Sequence, residues 1–401
     1  MASLEQAFEE ACSAGRIPHA VLAASSKDGK FTYTKAFGFQ RLDQDPKPPI
    51  KEDDIMAVAS LTKLMTSIAA LQCVERGLIK LDDDVAEILP ELADLEILEF
   101  DPQTKEPILK KRQNAITLRH LLTHSAGLAY ESMSPLLQQY NKIMGRPANT
   151  NTTITTRFNC PLLFEPGTGW SYGTSLDWVG LLVMRITKSS LEDYMRQNIW
   201  RPLGIEADTT FWPLENASLK DRIVGMTIRD PSIPDRKGKV LPYNGPPVMG
   251  VVTEECGGHG VSISIPSFMK VLKSLLADDE KLLRKETVKL MFEPQLSAQS
   301  QAALQKIFAS RKDSQSFNAD FPETCRYDWG LAGILILDDV PWGRRKGTML
   351  WGGLPNLFWF IDREANLCGA YGGQVLMNGD PQAMEMISLF ERTMYDRASK
   401  M

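Results

Sequence analysis

From Ala59 to Gly77 the chain reads ASLTKLMTSIAALQCVERG, and this stretch restricts the fold more than any other. Lys63 is the only charged residue between Ile55 and Val74. On a helical wheel Leu61, Leu64, Met65, Ile68, Ala69 and Leu71 cover most directions, while Ser67, Ala70 and Val74 share the face of Lys63. A helix apolar almost all round is a buried helix. Ser60 stands at its start, and Gly77 supplies the stop signal. Lys63 has no acid at either helical neighbour distance, since its i+3 and i+4 residues are Thr66 and Ser67. Burial of an ammonium without a counter-charge favours the neutral amine. One turn from a hydroxyl, such an amine is a general base, and the helix start favours negative charge developing on Ser60. The pair therefore suits an activated serine nucleophile. The wheel alone equally allows a lysine that reaches past the helix end or pairs with a remote acid.

The S-x-x-K spacing occurs again at Ser267 and Lys270, and the second copy serves as a control. There Ser267, Lys270, Lys273 and Ser274 gather on one side, opposite Phe268, Met269, Leu272, Leu275 and Leu276. That pattern predicts an ordinary surface helix with the serine and lysine in water. No serine lies in a G-x-S-x-G elbow. Of the four histidines, His19, His120, His124 and His259, none sits in a motif that completes a Ser-His-Asp triad. His120 and His124 read as core or capping residues, and His259 as a turn residue.

Strand patterns occupy both ends of the chain. "AVLAASS", Lys27-Asp28-Gly29-Lys30 and "FTYTKAFGFQ" form a hairpin pattern with an Asp-Gly turn. "WGLAGILIL", "GTMLWGG", "NLFWFID" and "LCGAYGG" return to strands before a closing helix from about Ala383. From about residue 90 to 260 the pattern is helical with long loops, and a clear amphipathic helix follows Pro266. These patterns predict an α+β protein: one sheet built from both chain ends and flanked by helices, plus a helical insertion. The expected division is a discontinuous sheet domain, 1–90 and 261–401, and a mainly helical domain, 91–260, with the site between them.

Charge and cysteine usage narrow the function. A formal net charge of -5, with only Lys110-Lys111-Arg112 and Arg344-Arg345-Lys346 as basic clusters, argues against nucleic acid as partner. The six cysteines are scattered without a CxxC or zinc spacing, so neither a metal nor another cofactor is expected. The opening "MASLEQAFEEACSAG" is too acidic for a signal peptide and reads as an amphipathic helix. Reduced thiols, a cytoplasmic location and no membrane association are the corresponding expectations. Without secretion, the glycosylation patterns at Asn151 and Asn216 stay unmodified.

Three motifs in order resemble the serine β-lactamase/penicillin-binding-protein superfamily, in its class C-like branch. They are Ser60-x-x-Lys63, Tyr172 within "FEPGTGWSYG", and Trp351-Gly352-Gly353 on an expected edge strand. "ITLRHLLTHSAGL" and "GGHGVSISIPSFMKVL" are similar to the family's structural signatures. Within the branch, "ALQCVERGLIKLDD" and "EECGGHGV" resemble the fungal lovastatin-type acyltransferases (transesterases). The resemblance implies a β-lactamase/transpeptidase-like fold and an acyl-enzyme on Ser60, with Lys63 and Tyr172 as base and proton relay. It further implies an oxyanion hole from the backbone N–H groups of Ser60 and Leu354. The expected reaction moves a short acyl group from a thioester or ester donor, an acyl carrier protein of a polyketide synthase being one candidate carrier, to a small-molecule alcohol of polyketide type. A carboxylesterase using the same intermediate is the alternative, and a β-lactamase, a D-Ala-D-Ala peptidase or an inactive binding protein ranks behind both.

Departures from the family pattern shape the substrate expectation. Thr174 stands where the tyrosine motif carries asparagine, and Trp351 where β-lactamases carry a cation. An indole in place of that cation disfavours carboxylate-bearing β-lactams and favours an apolar ester or thioester. Trp351, Gly352, Gly353, Trp170 and Thr174 are the expected substrate contacts, with Trp359 as a further candidate wall. Ala57 and the loop from about Ser132 to Cys160 are expected to shape the acceptor pocket.

Overall fold

Buried strands that pair on both sides read as continuous apolar runs, and such runs at both chain ends meet in one sheet. The computed structural model describes residues 3–146, 151–247, 250–310 and 317–401. Met1, Ala2 and part of the Ser132–Cys160 loop lie outside the described residues. The sheet has seven strands: β1 (His19–Ser26), β2 (Thr32–Gly38), β3 (Tyr327–Trp329), β4 (Ile334–Ile336), β5 (Met349–Gly353), β6 (Leu357–Asp362) and β7 (Leu367–Gly372). Their order is β3-β4-β5-β6-β7-β1-β2, antiparallel throughout. The N-terminal hairpin thus joins the C-terminal strands through β1 and β7, in the register Val21↔Gly372 to Ser26↔Leu367.

Helices cover both faces of the sheet. α1 (Leu4–Ser13) starts at a capping box in which Ser3 and Gln6 satisfy each other's backbone N–H groups. It lies beside the closing helix α6 (Pro381–Ser399), and both pack on the β1, β2 and β7 side. Arg397 and Glu5, 2.8 Å apart, tie the two helices together. α5 (Ile265–Ala277) covers β1, β6 and β7 with its apolar side. Beyond it lie α2 (Thr62–Glu75) and α4 (Ser175–Thr187), which pack against each other, with the short α3 (Leu118–Leu122) against α4. One cluster of buried side chains runs through all of these layers, from Phe8 and Phe358 to Ile68 and Trp178. Among the described residues, no helix is long and apolar enough to cross a membrane. The six cysteines are unpaired.

Three expectations change here. The stretch read as helical with loops also holds a hairpin, Glu96–Phe100 with Pro107–Lys111. Only Leu98 of its first strand is fully buried, so the two-residue alternation is faint among charged residues. Ser267 and Ser274 are buried, not solvated: the 204–208 segment lies against Ser267 and Lys270, and Ser274 Oγ donates to Asp279 at 2.6 Å. Ser267 Oγ lies 3.3 Å from Asp208 Oδ2, and exposed Lys270 reaches the Gly204 carbonyl at 3.1 Å. β5 is an interior strand, paired with β4 and β6. Its β4 ladder ends at Leu350, so Trp351–Gly353 overhangs with one free edge.

Candidate active site

Ser60 sits in a single 3₁₀ turn, Ala59–Leu61, that runs directly into α2. The chain enters this turn through Ala59 in a left-handed conformation, φ 44. The overhanging end of β5 packs against the turn: a Cβ on Gly353 would stand 2.8 Å from the Val58 carbonyl oxygen. Glycine is needed there because backbone meets backbone. Ser60, Leu354, Tyr172, Trp351, Gly352 and Gly353 therefore line one cleft of about 310 Å3, open to solvent. Phe317, Asn318, Ala319, Phe321 and Asn378 form its other wall. Asn318 is locked there by bonds to the Gly353 and Leu357 carbonyls and the Gly379 N–H.

One turn on from Ser60, Lys63 is buried, and its Nζ has three oxygen neighbours. They are the Gly258 carbonyl at 2.7 Å, Ser60 Oγ at 3.2 Å and Tyr130 Oη at 3.3 Å. It also lies over the Tyr172 ring, 4.8 Å from the centroid. A remote acid does approach it. Tyr130 Oη donates to Asp177 Oδ2 at 3.0 Å, and Asp177 Oδ1 accepts the Gly258 N–H at 2.9 Å. The premise that Lys63 is buried without a counter-charge is thereby corrected: α4 supplies one from 114 positions along the chain, a distance no helical wheel can see. Burial pushes the Asp177 carboxyl up, but His259, Lys63 and the Gly258 N–H outweigh it and hold it below its ordinary value. His259 Nδ1 stands 3.2 Å from Asp177 Oδ1. Burial, then the charge of Asp177, pushes the Tyr130 phenol far up, so it stays protonated.

Tyr172 is held by His124 from both sides in sequence. The Ser171 N–H donates to the His124 carbonyl at 3.0 Å, and the Gly173 N–H to His124 Nδ1 at 3.4 Å. The two rings lie 4.7 Å apart. Burial, reinforced by the charge of Lys63, drives the His124 imidazole well below its ordinary pKa, so Nδ1 is free to accept. Trp351 Nε1 donates to Tyr172 Oη at 3.1 Å. The indole N–H therefore presents a positive edge to the tyrosine oxygen.

Of the expected substrate contacts, Trp351, Gly352 and Gly353 line the cleft, and Trp170 and Thr174 do not. Trp170 is buried behind it against Trp329, 5.3 Å between rings, and Thr174 is buried at the start of α4. Trp359 faces its cross-strand partner Trp351 in the sheet and is buried. Tryptophan composition could not separate these cases, since apolar rings suit core and cleft alike. Sequence reasoning missed Tyr130, Asp177 and Gly258. A signal for Asp177 existed: it is the only charge between Trp170 and Arg185, the same lone-charge pattern that marked Lys63. Asp177, Cys256 and His259 bring potential metal ligands within 4.8 Å of one another. Both Asp177 oxygens already accept protein hydrogen bonds, and the Lys63 side chain stands beside them, so the cluster suits a hydrogen-bond network better than a cation.

The family model described as Beta-lactamase matches residues 4–393. The chain is 36% identical to ML-236A carboxylate methylbutanoyltransferase of Penicillium citrinum, over 99% of this chain and 94% of that one. It is likewise 36% identical to lovastatin esterase of Penicillium rubens, over 99% and 98%. A crystallised variant of simvastatin synthase from Aspergillus terreus superposes with a TM-score of 0.90 at 37% identity, covering 99% of this chain and 97% of that one.

Proposed function

The chain belongs to the Beta-lactamase family, in a branch of acyltransferases and esterases, and from that premise we propose that it acylates Ser60 and passes the acyl group to an alcohol. The acyl group is short, the donor a thioester or ester, and the acceptor a hydroxyl of a polyketide-type natural product. The observation that carries this reading is the Lys63 amine 3.2 Å from Ser60 Oγ, with Ser60 lining an aromatic-walled cleft. The Ser60 hydroxyl gives its proton to Lys63 as Oγ attacks the acyl carbonyl. The backbone N–H groups of Ser60 and Leu354 hold the oxyanion. Collapse breaks the C–S bond, and the thiolate leaves with a proton delivered through Tyr172. The acceptor hydroxyl then loses its proton along the same path while its oxygen takes the acyl group. The donor is presented by an acyl carrier protein, the enzyme works in the cytoplasm, and neither nucleic acid nor membrane takes part. In this reading the cleft separates the discontinuous part, 1–90 and 261–401, from the part spanning 91–260.

The aromatic wall of Tyr172, Phe317, Phe321 and Trp351 and the missing cation favour transfer over the esterase alternative, since an apolar acceptor seated on those rings displaces the water that would hydrolyse the acyl-enzyme. The test is incubation with an acyl thioester, with and without a decalin-type polyketide alcohol. Intact-mass spectrometry should show one acyl adduct, and product analysis should show more ester than free acid at saturating alcohol. Hydrolysis dominating under those conditions would assign the esterase activity. Turnover of nitrocefin as fast as the ester reaction would instead make the protein a β-lactamase.

A further inference from the structure

We infer that Tyr130 and Asp177 are positioning residues that aim the lone pair of Lys63 at Ser60. The inference deepens the acyl-Ser60 reading and rests on it. In the form that takes the Ser60 proton, Lys63 is an amine with two N–H donors and one lone pair, and its Nζ has three oxygen neighbours among which to distribute them. The Gly258 carbonyl can only accept, so it takes one N–H. Tyr130 Oη could in principle donate or accept, but its one proton is committed to Asp177 Oδ2, because an ionised carboxylate only accepts. Tyr130 must therefore accept the second N–H of Lys63. The remaining tetrahedral position, the lone pair, faces Ser60 Oγ. Asp177 is fixed in turn by the Gly258 N–H, so one carboxylate orients the tyrosine with one oxygen and braces the carbonyl-bearing turn with the other. Tyr130 and Asp177, like Lys63 itself, are not among the residues that line the cleft, and they reach Ser60 through Lys63.

The direction of this chain can be reversed without changing its shape. In Asp177→Asn, the amide oxygen can keep the Gly258 N–H while the amide nitrogen donates to Tyr130 Oη. The tyrosine proton then turns toward Lys63, claims the lone pair, and leaves an N–H facing Ser60. The burst of p-nitrophenyl ester acylation should fall about 100-fold in this variant, with KM within about 3-fold, because the loss is in proton transfer and not in binding. Tyr130→Phe removes the acceptor but leaves Gly258, so its kcat should fall about 10-fold with KM again nearly constant. The double variant decides the mechanism. Without the tyrosine hydroxyl there is nothing to orient, so adding Asp177→Asn to Tyr130→Phe should cost less than about 3-fold more. An equal cost of Asp177→Asn in both backgrounds would mean that its charge acts on Lys63 through space, and would overturn the inference. A Tyr130→Phe enzyme within about 2-fold of the parent kcat would overturn it as well. Melting temperatures close to the parent establish that the variants are folded, and Tyr130→Phe, which deletes one hydroxyl, carries the test if Asp177→Asn unfolds. Ser60→Ala, run beside them, tests the underlying reading separately. Retained acylation there sinks the acyl-Ser60 proposal, while lost acylation beside a parent-like Tyr130→Phe sinks only this one.

Discussion

Ser60 and Ser267 open the same four-residue pattern, yet only one of them has its lysine beside it. Lys63 turns back to Ser60, whereas Lys270 turns away to the Gly204 carbonyl. Ser60→Ala should therefore leave no acyl mass after incubation with a thioester, with the melting temperature held. Ser267→Ala should keep parent activity and lose roughly 1 kcal/mol of stability, the cost of one partly buried hydrogen bond to Asp208. A loss of ~100-fold in activity there would reverse the assignment of the two pairs. The neighbour of the nucleophile offers a second test. Ala59 holds φ at 44, where a β-branched side chain is strained. Ala59→Val should cost on the order of 1–3 kcal/mol in thermal or chemical unfolding, while Ala59→Gly should be neutral or stabilising. If valine were tolerated as well as glycine, the turn before Ser60 would not be as constrained as its backbone indicates.

The end of β5 and the turn before α2 act together, since Gly353 and Val58 meet without room for a methyl group. Gly353→Ala should push the Leu354 N–H away from Ser60 and cut kcat about 10- to 100-fold, the range for a displaced oxyanion donor. A parent-like burst with this variant would exclude Leu354 as the second donor. The same pairing of elements explains what the sequence could reveal. Ser60 and Lys63 were legible because helical spacing is a local property and both lie on one turn. The sheet was legible as well, because β1, β6 and β7 are buried along nearly all their length and spell that out as apolar runs. Where a partner comes from another segment, the reading failed. Ser267 looked solvated because Asp208 and Gly204 belong to no helix that contains it. Trp351–Gly353 looked like an edge strand, and it has a free edge only because β4 begins at Ile334, opposite Leu350. Tyr130 follows a short helix in a loop, and no spacing rule connects it to Lys63.

Three histidines, His19, His120 and His124, give the fold an acid-sensitive side. Burial pushes His19 from an ordinary value of 6.5 down to about 4, against the weaker pull of its bond to the Phe39 carbonyl. His124 is lowered further and His120 in the same direction, each chiefly by burial. In each case the unfolded chain binds a proton that the native state refuses, so stability is full above the unfolded value and is lost as pH falls toward the folded one. For His19 this amounts to about 2 kcal/mol between pH 7 and pH 5, at 1.36 kcal/mol per unit. Asp328 and Asp362, raised by burial, act with the opposite sign. The measurement is therefore a difference: His19→Gln should lose less stability than the parent between pH 7 and pH 5, and parallel pH profiles would refute the assignment. The order of strands has a consequence in time as well. β1 lies between β2, made at once, and β7, whose Cys368 meets Ser25 from 343 residues away. At ordinary rates of translation the ribosome needs roughly twenty to seventy seconds to cover that interval. Throughout it, a strand with the apolar run Ala20–Ala24 waits with one row of backbone N–H and C=O groups unpaired. Nascent chains stalled just before Leu367 should be captured by holdase chaperones, and chains released after α6 should not; equal capture of both would mean that the hairpin is sheltered earlier by some other segment.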